Sequence, residues 1–429
     1  AVHDRAAKDF ADEFYRLMLQ GEYFGRTVQR ARKRVYNNHK HYSNTWGAYQ
    51  CYGDPYYTLV ENDRKSRSEE GYLTEDEVLI DLFNIQSRKI EKFESKDEML
   101  KEAKAVLKTA IESDLATPQV YQKIAEIHAE YDDLSTAIEF YEKMLKNKSS
   151  EYTVKGLEQY CNLRIKQFVE DKNKEKPLSL KPTPDEEKII EDFKYLLEIF
   201  PTAQRYSLLG GAYKRFAYVF EDNQDFLKKT IVNYRLAFEK EKNDVKKYTY
   251  PLSNALQAQF FYDPDKLTEI EKEIEEQKKV EKEKKKEKEG KAEIKVHNDF
   301  TKFNTAMEWV EDSEQQLLEL EAENRNFWED IALINILTTK ILYSGEAKVV
   351  EETTQSIIEL YNELFAPAGT LKHLRSEIEQ FNILAKLLDR IKDSAYPNVK
   401  DSGLTKFKMD QLKEISEHLE KLNKPKNEA

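Results

Sequence analysis

Cysteine is almost absent from this chain: there are two, Cys51 and Cys161, in 429 residues. That excludes a disulfide framework and a zinc site built from cysteine alone, and it suits a reducing cytoplasm, where we expect the protein. Glycine (12) and proline (11) are too sparse for a sandwich or barrel with many tight turns. No run of 18 apolar residues occurs, so no membrane span is expected, and no signal peptide is recognisable. The net charge of −12 excludes a nucleic-acid footprint over the whole protein. Histidine is scarce too. Only His39 and His41 lie close together, as H-x-H in a polar stretch, and a structural metal site wants about four ligands, so no metal is expected. Gly210-Gly211 is not followed by Gly-Lys-Ser/Thr, so there is no phosphate loop, and no cofactor is expected.

What remains is rich in charge (35%) and in aromatics, with 25 Tyr and 21 Phe, at a mean hydropathy of −0.80. Abundant Lys, Glu and Leu with little Gly and Pro specify a mainly helical chain. Residues 1–62 stand apart. Phe10, Phe14, Leu17 and Met18 share one face of a helix over about 4–20, and Gly21 is placed to end it. A second helix follows, with Val28, Ala31 and Val35 on one face. Its other face carries Arg26, Arg30, Arg32, Lys33 and Arg34, a basic stripe that is either solvated or a docking contact. The segment Trp46 to Pro55, aromatic and bounded by Gly and Pro, reads as a strand entering a turn.

From about residue 73 the apolar period is 3.6 throughout. The expected divisions are a helical region at 73–170, a linker at 171–187, helices at 188–265, a charged insertion at 266–293 and a C-terminal helical region at 294–424. The linker holds Pro177, Pro182 and Pro184, and it closes on Thr183-Pro184-Asp185-Glu186, a capping box with proline at the first helical position. The insertion has ten Lys and ten Glu with no Arg or Asp. It reads as a solvated helix or mobile insertion held by i,i+4 pairs, or as a partner coiled coil seamed by Leu267, Ile270 and Ile274.

Two segments repeat a helix–turn–helix pattern. Tyr121, Ile124, Ala125 and His128, then Ala137, Tyr141 and Met144, follow the tetratricopeptide spacing. Tyr206, Leu209, Gly210 and Tyr213 match it more closely. Their second helix, with Tyr234 and Ala237, lies further along than the repeat allows, so Phe220–Phe226 reads as an insertion. Stacked units of this kind bury their apolar faces on one another and leave a concave surface suited to a peptide or helix. The expected fold is a mainly α helix–turn–helix solenoid with a small N-terminal α/β remnant.

The first 60 residues resemble the C-terminal end of CHAT domains, the caspase-like cysteine peptidase domains found with tetratricopeptide repeats in bacteria. The resemblance rests on Ala6-Ala7-Lys8-Asp9-Phe10-Ala11, Phe24-Gly25 and, above all, the stretch Asn44 to Pro55. Within that stretch lie Asn44, Trp46, Gly47, Tyr49, Cys51, Gly53, Asp54 and Pro55. It implies that the catalytic His and Cys precede Ala1, and that Cys51 is not the nucleophile. The opening Ala1-Val2-His3, without Met, agrees with a chain excerpted from something longer. A second resemblance, over about 190–265 and 325–392, is to the helical "TRAFs-binding" region of a kinase kinase kinase. It rests on Pro201 to Arg215, Tyr250-Pro251-Leu252-Ser253-Asn254 and Asn326-Phe327-Trp328-Glu329, and it implies an adaptor-like module.

Nothing in this sequence assembles a catalytic site of its own. Cys51 near His39 and His41 is the sole candidate dyad, and both cysteines read more simply as small core hydrophobes. The expected function is therefore the regulatory, protein-binding portion of a caspase-like peptidase. It would take a protein or peptide in its helical groove and act on a peptidase domain in cis. The alternative is a scaffold without catalysis.

Overall fold

A computed structural model describes residues 4–41, 43–50, 52–59, 71–88, 96–146, 153–174, 179–286, 303–319, 327–365, 371–391 and 401–422. Every regular element among them is helical, eighteen α-helices and a short 3₁₀ turn. The chain divides into two compact units, Ala1–Asp81 with Lys104–Ala116, and Leu82–Ala103 with Thr117–Ala429. Helices α4 (Glu75–Arg88) and α5 (Lys96–Glu112) are shared between them.

The first unit is built on a helical hairpin, α1 (Asp4–Leu19) and α2 (Phe24–His39). Gly21 takes φ 72° between them, a conformation that costs glycine nothing. Ala6, Phe10, Ala31 and Val35 form the seam, as the 3.6 periodicity requires. The strand expected after Trp46 is not found. Thr45–Ala48 is instead a single helical turn, α3, and no strand occurs among the described residues, so the α/β remnant is corrected to an α-helical one. The aromatic residues that suggested a strand serve as packing. Tyr49 stacks on Phe10 with ring centroids 3.8 Å apart, and Trp46 meets Tyr36 edge to face at 5.3 Å. The following loop lies along the start of α2, where Gly25 N donates to Pro55 O at 2.7 Å. A Cβ on Gly25 would stand 2.9 Å from that of Pro55, so only glycine permits the approach.

The second unit is a succession of packed helices. They are α6 (Pro118–Glu130), α7 (Leu134–Lys146), α8 (Val154–Lys174), α9 (Pro184–Ile199), α10 (Ala203–Val219), α11 (Gln224–Glu241) and α12 (Val245–Phe260), then α13 (Leu267–Lys286), α14 (Phe303–Leu318), α15 (Phe327–Tyr343), α16 (Ala347–Phe365), α17 (Leu371–Ile391) and α18 (Ser402–Leu422). From α6 to α12 each helix packs on the next, with the exception that α10 takes contacts from both α8 and α9; α12 then packs on α15 and α15 on α16. Stacking of this kind buries what no single pair could bury alone.

Thr183 and Glu186 form the expected capping box. Thr183 N donates to Glu186 Oε2 at 2.7 Å, and Glu186 N donates to Thr183 Oγ1 at 3.4 Å. Two expectations change. Helix α8 continues to Lys174, inside the stretch read as linker. The insertion read at Phe220–Phe226 is absorbed by longer helices, since α10 runs to Val219 and α11 starts at Gln224. The aromatics there are core. Phe216, fully buried, meets Phe168, Phe220 and Phe226 at centroid distances of 5.3, 5.4 and 5.5 Å. The Lys/Glu-rich helix α13 is not solvated all round either. Ile270 and Ile274 are buried, and Lys228 of α11 pairs with Glu273 at 2.9 Å.

Candidate ligand groove

Helices α8, α10 and α12 stand side by side in the second unit and enclose a groove of about 430 Å³, with α17 along one edge. Its lining follows from local sequence. Gly210 faces α11, where a Cβ would fall 2.9 Å from Tyr234 Cδ2, so the two helices approach as closely as glycine allows. Gly211 lines the groove, and a Cβ there would stand 3.2 Å from the hydroxyl of the same Tyr234 and 3.4 Å from Arg215 Nη1, so its missing side chain leaves room for both. On α12, Pro251 lies inside the helix and has no N–H to give to the carbonyl of Lys247, and both residues line the groove. Lys166 from α8, Ser207 from α10 and Tyr250 from α12 complete a polar wall.

Behind that wall lies a buried polar network. Arg215 donates to both carboxylate oxygens of Glu379 at 2.8 Å, a fork-to-fork pair. Lys214 Nζ is enclosed by three amide oxygens, of Asn254 at 2.8 Å, Gln380 at 3.0 Å and Gln257 at 3.3 Å. Burial pushes the Lys214 ammonium down to about 7, and Arg215 beside it adds to the fall. Burial pushes Glu379 up, but the charge and hydrogen bonds of Arg215 outweigh it and hold the carboxyl below its ordinary range. Glu377, which accepts from Tyr361 at 2.7 Å, is raised by burial. Such a network specifies one arrangement of α10, α12, α15 and α17, because each amide has a required partner.

The residues singled out from the repeats take up places in this unit. Ala125, Ala137, Tyr206 and Tyr213 are buried between helices, and Tyr121 is half-buried against Phe140 at 6.3 Å. The N-terminal motif residues lie in the other unit. Asn44, Gly47, Gly53, Asp54 and Pro55 are exposed, Trp46 and Tyr49 are half-buried, and Cys51 lies outside the described residues. In the same unit, Arg34 pairs with Glu13 at 2.7 Å, Arg30 with Glu22 at 3.3 Å, and Arg32 donates to Trp46 O at 3.0 Å, so much of the basic stripe makes contacts within the hairpin. His39 Nε2 lies 2.7 Å from Asp9 Oδ2, which accounts for that imidazole as a packing partner.

Of the groove residues, Lys166 and Lys247 were not singled out from sequence, and Ser207 and Arg215 entered only as members of the stretch Pro201 to Arg215. Their one local signal is the Lys214-Arg215 pair, charged side chains directly after a small-residue helix face. Their partners on α17 lie more than 160 residues away. Cys161 is buried in the core and burial pushes its thiol up to about 12, which leaves it an inert packing group at neutral pH. Among the described residues no cluster of three His, Cys, Asp or Glu is placed to hold a metal ion, and no helix is long and apolar enough to cross a membrane.

A family model described as Tetratricopeptide Repeats-Sensor matches residues 133–259, from the residue before α7 through nearly all of α12. The match spans less than a third of the chain and includes the α8, α10 and α12 walls of the groove. It does not reach residues 1–62, and nothing in it supports a caspase-like domain there. No curated protein and no solved structure matches the chain. What the helices and the family match establish together is a tetratricopeptide-like helical domain.

Proposed function

We propose that this chain is a recognition arm that holds a peptide segment of a protein partner in the groove between α8, α10 and α12. The observation that carries the reading is the groove itself. It is a cleft of about 430 Å³ walled by three helices of the tetratricopeptide-like domain. Its lining is mixed: Ala203, Leu208 and Pro251 give it apolar surface, and its donors and acceptors (Lys166, Ser207, Arg215, Tyr250) suit the backbone and polar side chains of a peptide. Binding there acts on the rest of the protein only through its differential affinity for two arrangements of the helices.

The test is a peptide selected by display on the 429-residue chain, then measured against Ser207→Trp. The indole is large enough to fill much of the cleft beside Arg215. Binding at least tenfold weaker, with an unchanged melting curve, is the expected result. Peptides that bind the variant as well as the parent would place recognition elsewhere.

In its finer form the reading makes this arm the regulator of a caspase-like cysteine peptidase domain in cis, on the resemblance of residues 1–62. A thiol-reactive peptidase probe should then label a longer product that includes the preceding segment, at a cysteine upstream of Ala1. The 429-residue chain should stay unlabelled. Labelling at Cys51 would overturn that assignment.

A further inference from the structure

Helix α17 is held in two different ways along its length. From Phe381 onward it is a core helix, with Phe381, Ile383, Leu384, Ala385, Leu387, Leu388 and Ile391 all buried. Its last turn is fixed as well. Arg390 donates to the carbonyls of Ala217, Tyr218 and Phe220 at 2.7–3.0 Å, the open acceptors at the end of α10. The half before Phe381 is different. Over 374–380 only Leu374 is buried, with Ile378 packed partly beside it. Its other contacts are polar: Glu377 accepts from the fully buried Tyr361 of α16 at 2.7 Å, and the rest run to successive helices. Arg375 pairs with Asp132 in the α6–α7 turn, and Ser376 accepts from Lys166 of α8 at 2.9 Å. Glu379 takes the fork from Arg215 of α10, and Gln380 bonds to Lys214, to Gln257 of α12 and to Asn335 of α15. One half-helix of this chain therefore lies across a face made by the α6–α7 turn and by α8, α10, α12 and α15, and it borders the groove through Ser376.

We infer that the first half of α17 is a built-in occupant of this face, and that the partner is an amphipathic helix which takes its place, offering a carboxylate to Arg215 and a side-chain amide to Lys214 one residue on. This rests on the groove reading above and names the partner for it. The physical case is the character of the contacts. Releasing apolar surface to water is costly in proportion to its area. Releasing hydrogen-bonded charges at a cleft that floods with water costs much less, because Arg215, Lys214 and Glu379 are hydrated once the half-helix lifts. The hinge falls at Phe381, where the continuous apolar anchorage begins; Leu374 and the half-buried Ile378 are the apolar contacts given up on release.

The test uses the full chain and a labelled synthetic peptide with the sequence of residues 371–380, the half that lifts. Hydrogen exchange is followed in the parent and in Glu379→Gln, which keeps the side chain and removes its charge. The amides of 375–380 should exchange at least tenfold faster in the variant, with those of α10 and of 381–391 unchanged, and the peptide should bind the variant at least tenfold more tightly than the parent. Arg375→Ala loosens the same half-helix while leaving the Arg215–Glu379 pair intact. It serves if Glu379→Gln does not fold. Acceleration that spreads into α10 and α18, or peptide binding equal in parent and variant, overturns the inference. Ser207→Trp tests the groove from the α10 side, and the exchange of 375–380 in Glu379→Gln is read without it, so failure of the groove reading shows in the first while local opening of 375–380 persists in the second.

Discussion

Phe216→Ala lowers the unfolding free energy of the second unit by about 3–5 kcal/mol. The size follows from position. Phe216 has no exposed surface, and its ring is surrounded by Phe168 from α8, Phe220 at the end of α10 and Phe226 from α11. Three elements meet there, so none can collapse into the space without drawing the others off their own contacts, and the cavity stays open. Phe216→Leu keeps most of the volume and should cost about 1–1.5 kcal/mol. Urea unfolding followed by helical circular dichroism reads both. Equal midpoints for parent and Phe216→Ala would show that the aromatic cluster is not what joins α8, α10 and α11.

Stability should rise as the pH increases from about 7 toward 9.5, and Lys214 is the principal cause. Burial lowers its folded-state value to about 7, against an ordinary lysine value of about 10.4 in the unfolded chain. Between those values the unfolded chain binds the extra proton, so unfolding becomes less favourable as pH rises. Below pH 7 both states are protonated, and the cost of the buried ammonium is present in full. The effect over the window is on the order of 2–4 kcal/mol. The charged groups around it are Arg215, Glu377 and Glu379. Lys408, which burial lowers to about 8, adds a slope of the same sign. Lys214→Met keeps the aliphatic stem and removes the titration, so the difference between the two pH profiles isolates the residue. A variant whose profile parallels the parent's would mean that the three amide oxygens hold the ammonium charged throughout.

Local patterns carried much of this fold. The apolar period of 3.6 made the chain mainly helical, and Phe327–Tyr343, Ala347–Phe365 and Leu371–Ile391 are among the helices of the structure. The Thr183 box was legible because capping needs only residues three apart. The misreadings have physical causes. Trp46, Tyr49 and Tyr52 between Gly and Pro have the composition of a strand, but no strand lies beside them among the described residues; Tyr49 stacks on Phe10, Trp46 meets Tyr36 edge to face, and Tyr52 is exposed. Phe220–Phe226 looked like an insertion because the template assumed shorter helices than α10 and α11. The groove was the least legible part. Arg215 finds Glu379, and Lys166 finds Ser376, across 164 and 210 residues, and no periodicity within either helix announces a partner so distant.

The capping of α10 by Arg390 also sets an order on synthesis. The last carbonyls of α10 leave the ribosome well before the guanidinium that satisfies them, which is 173 residues later for Ala217. At about 5–20 residues per second that is a wait of roughly 9–35 s. Throughout it, α10 has an open C-terminal end, and Lys214 and Arg215 have no α17 to meet. The stretch from 133 to 259 that carries the family likeness therefore emerges with part of its hydrogen bonding still to be translated. Closure of contacts so far apart along the chain is slow. A nascent chain halted before Leu371 would present Lys214 and Arg215 without Gln380 and Glu379, the partners that α17 brings.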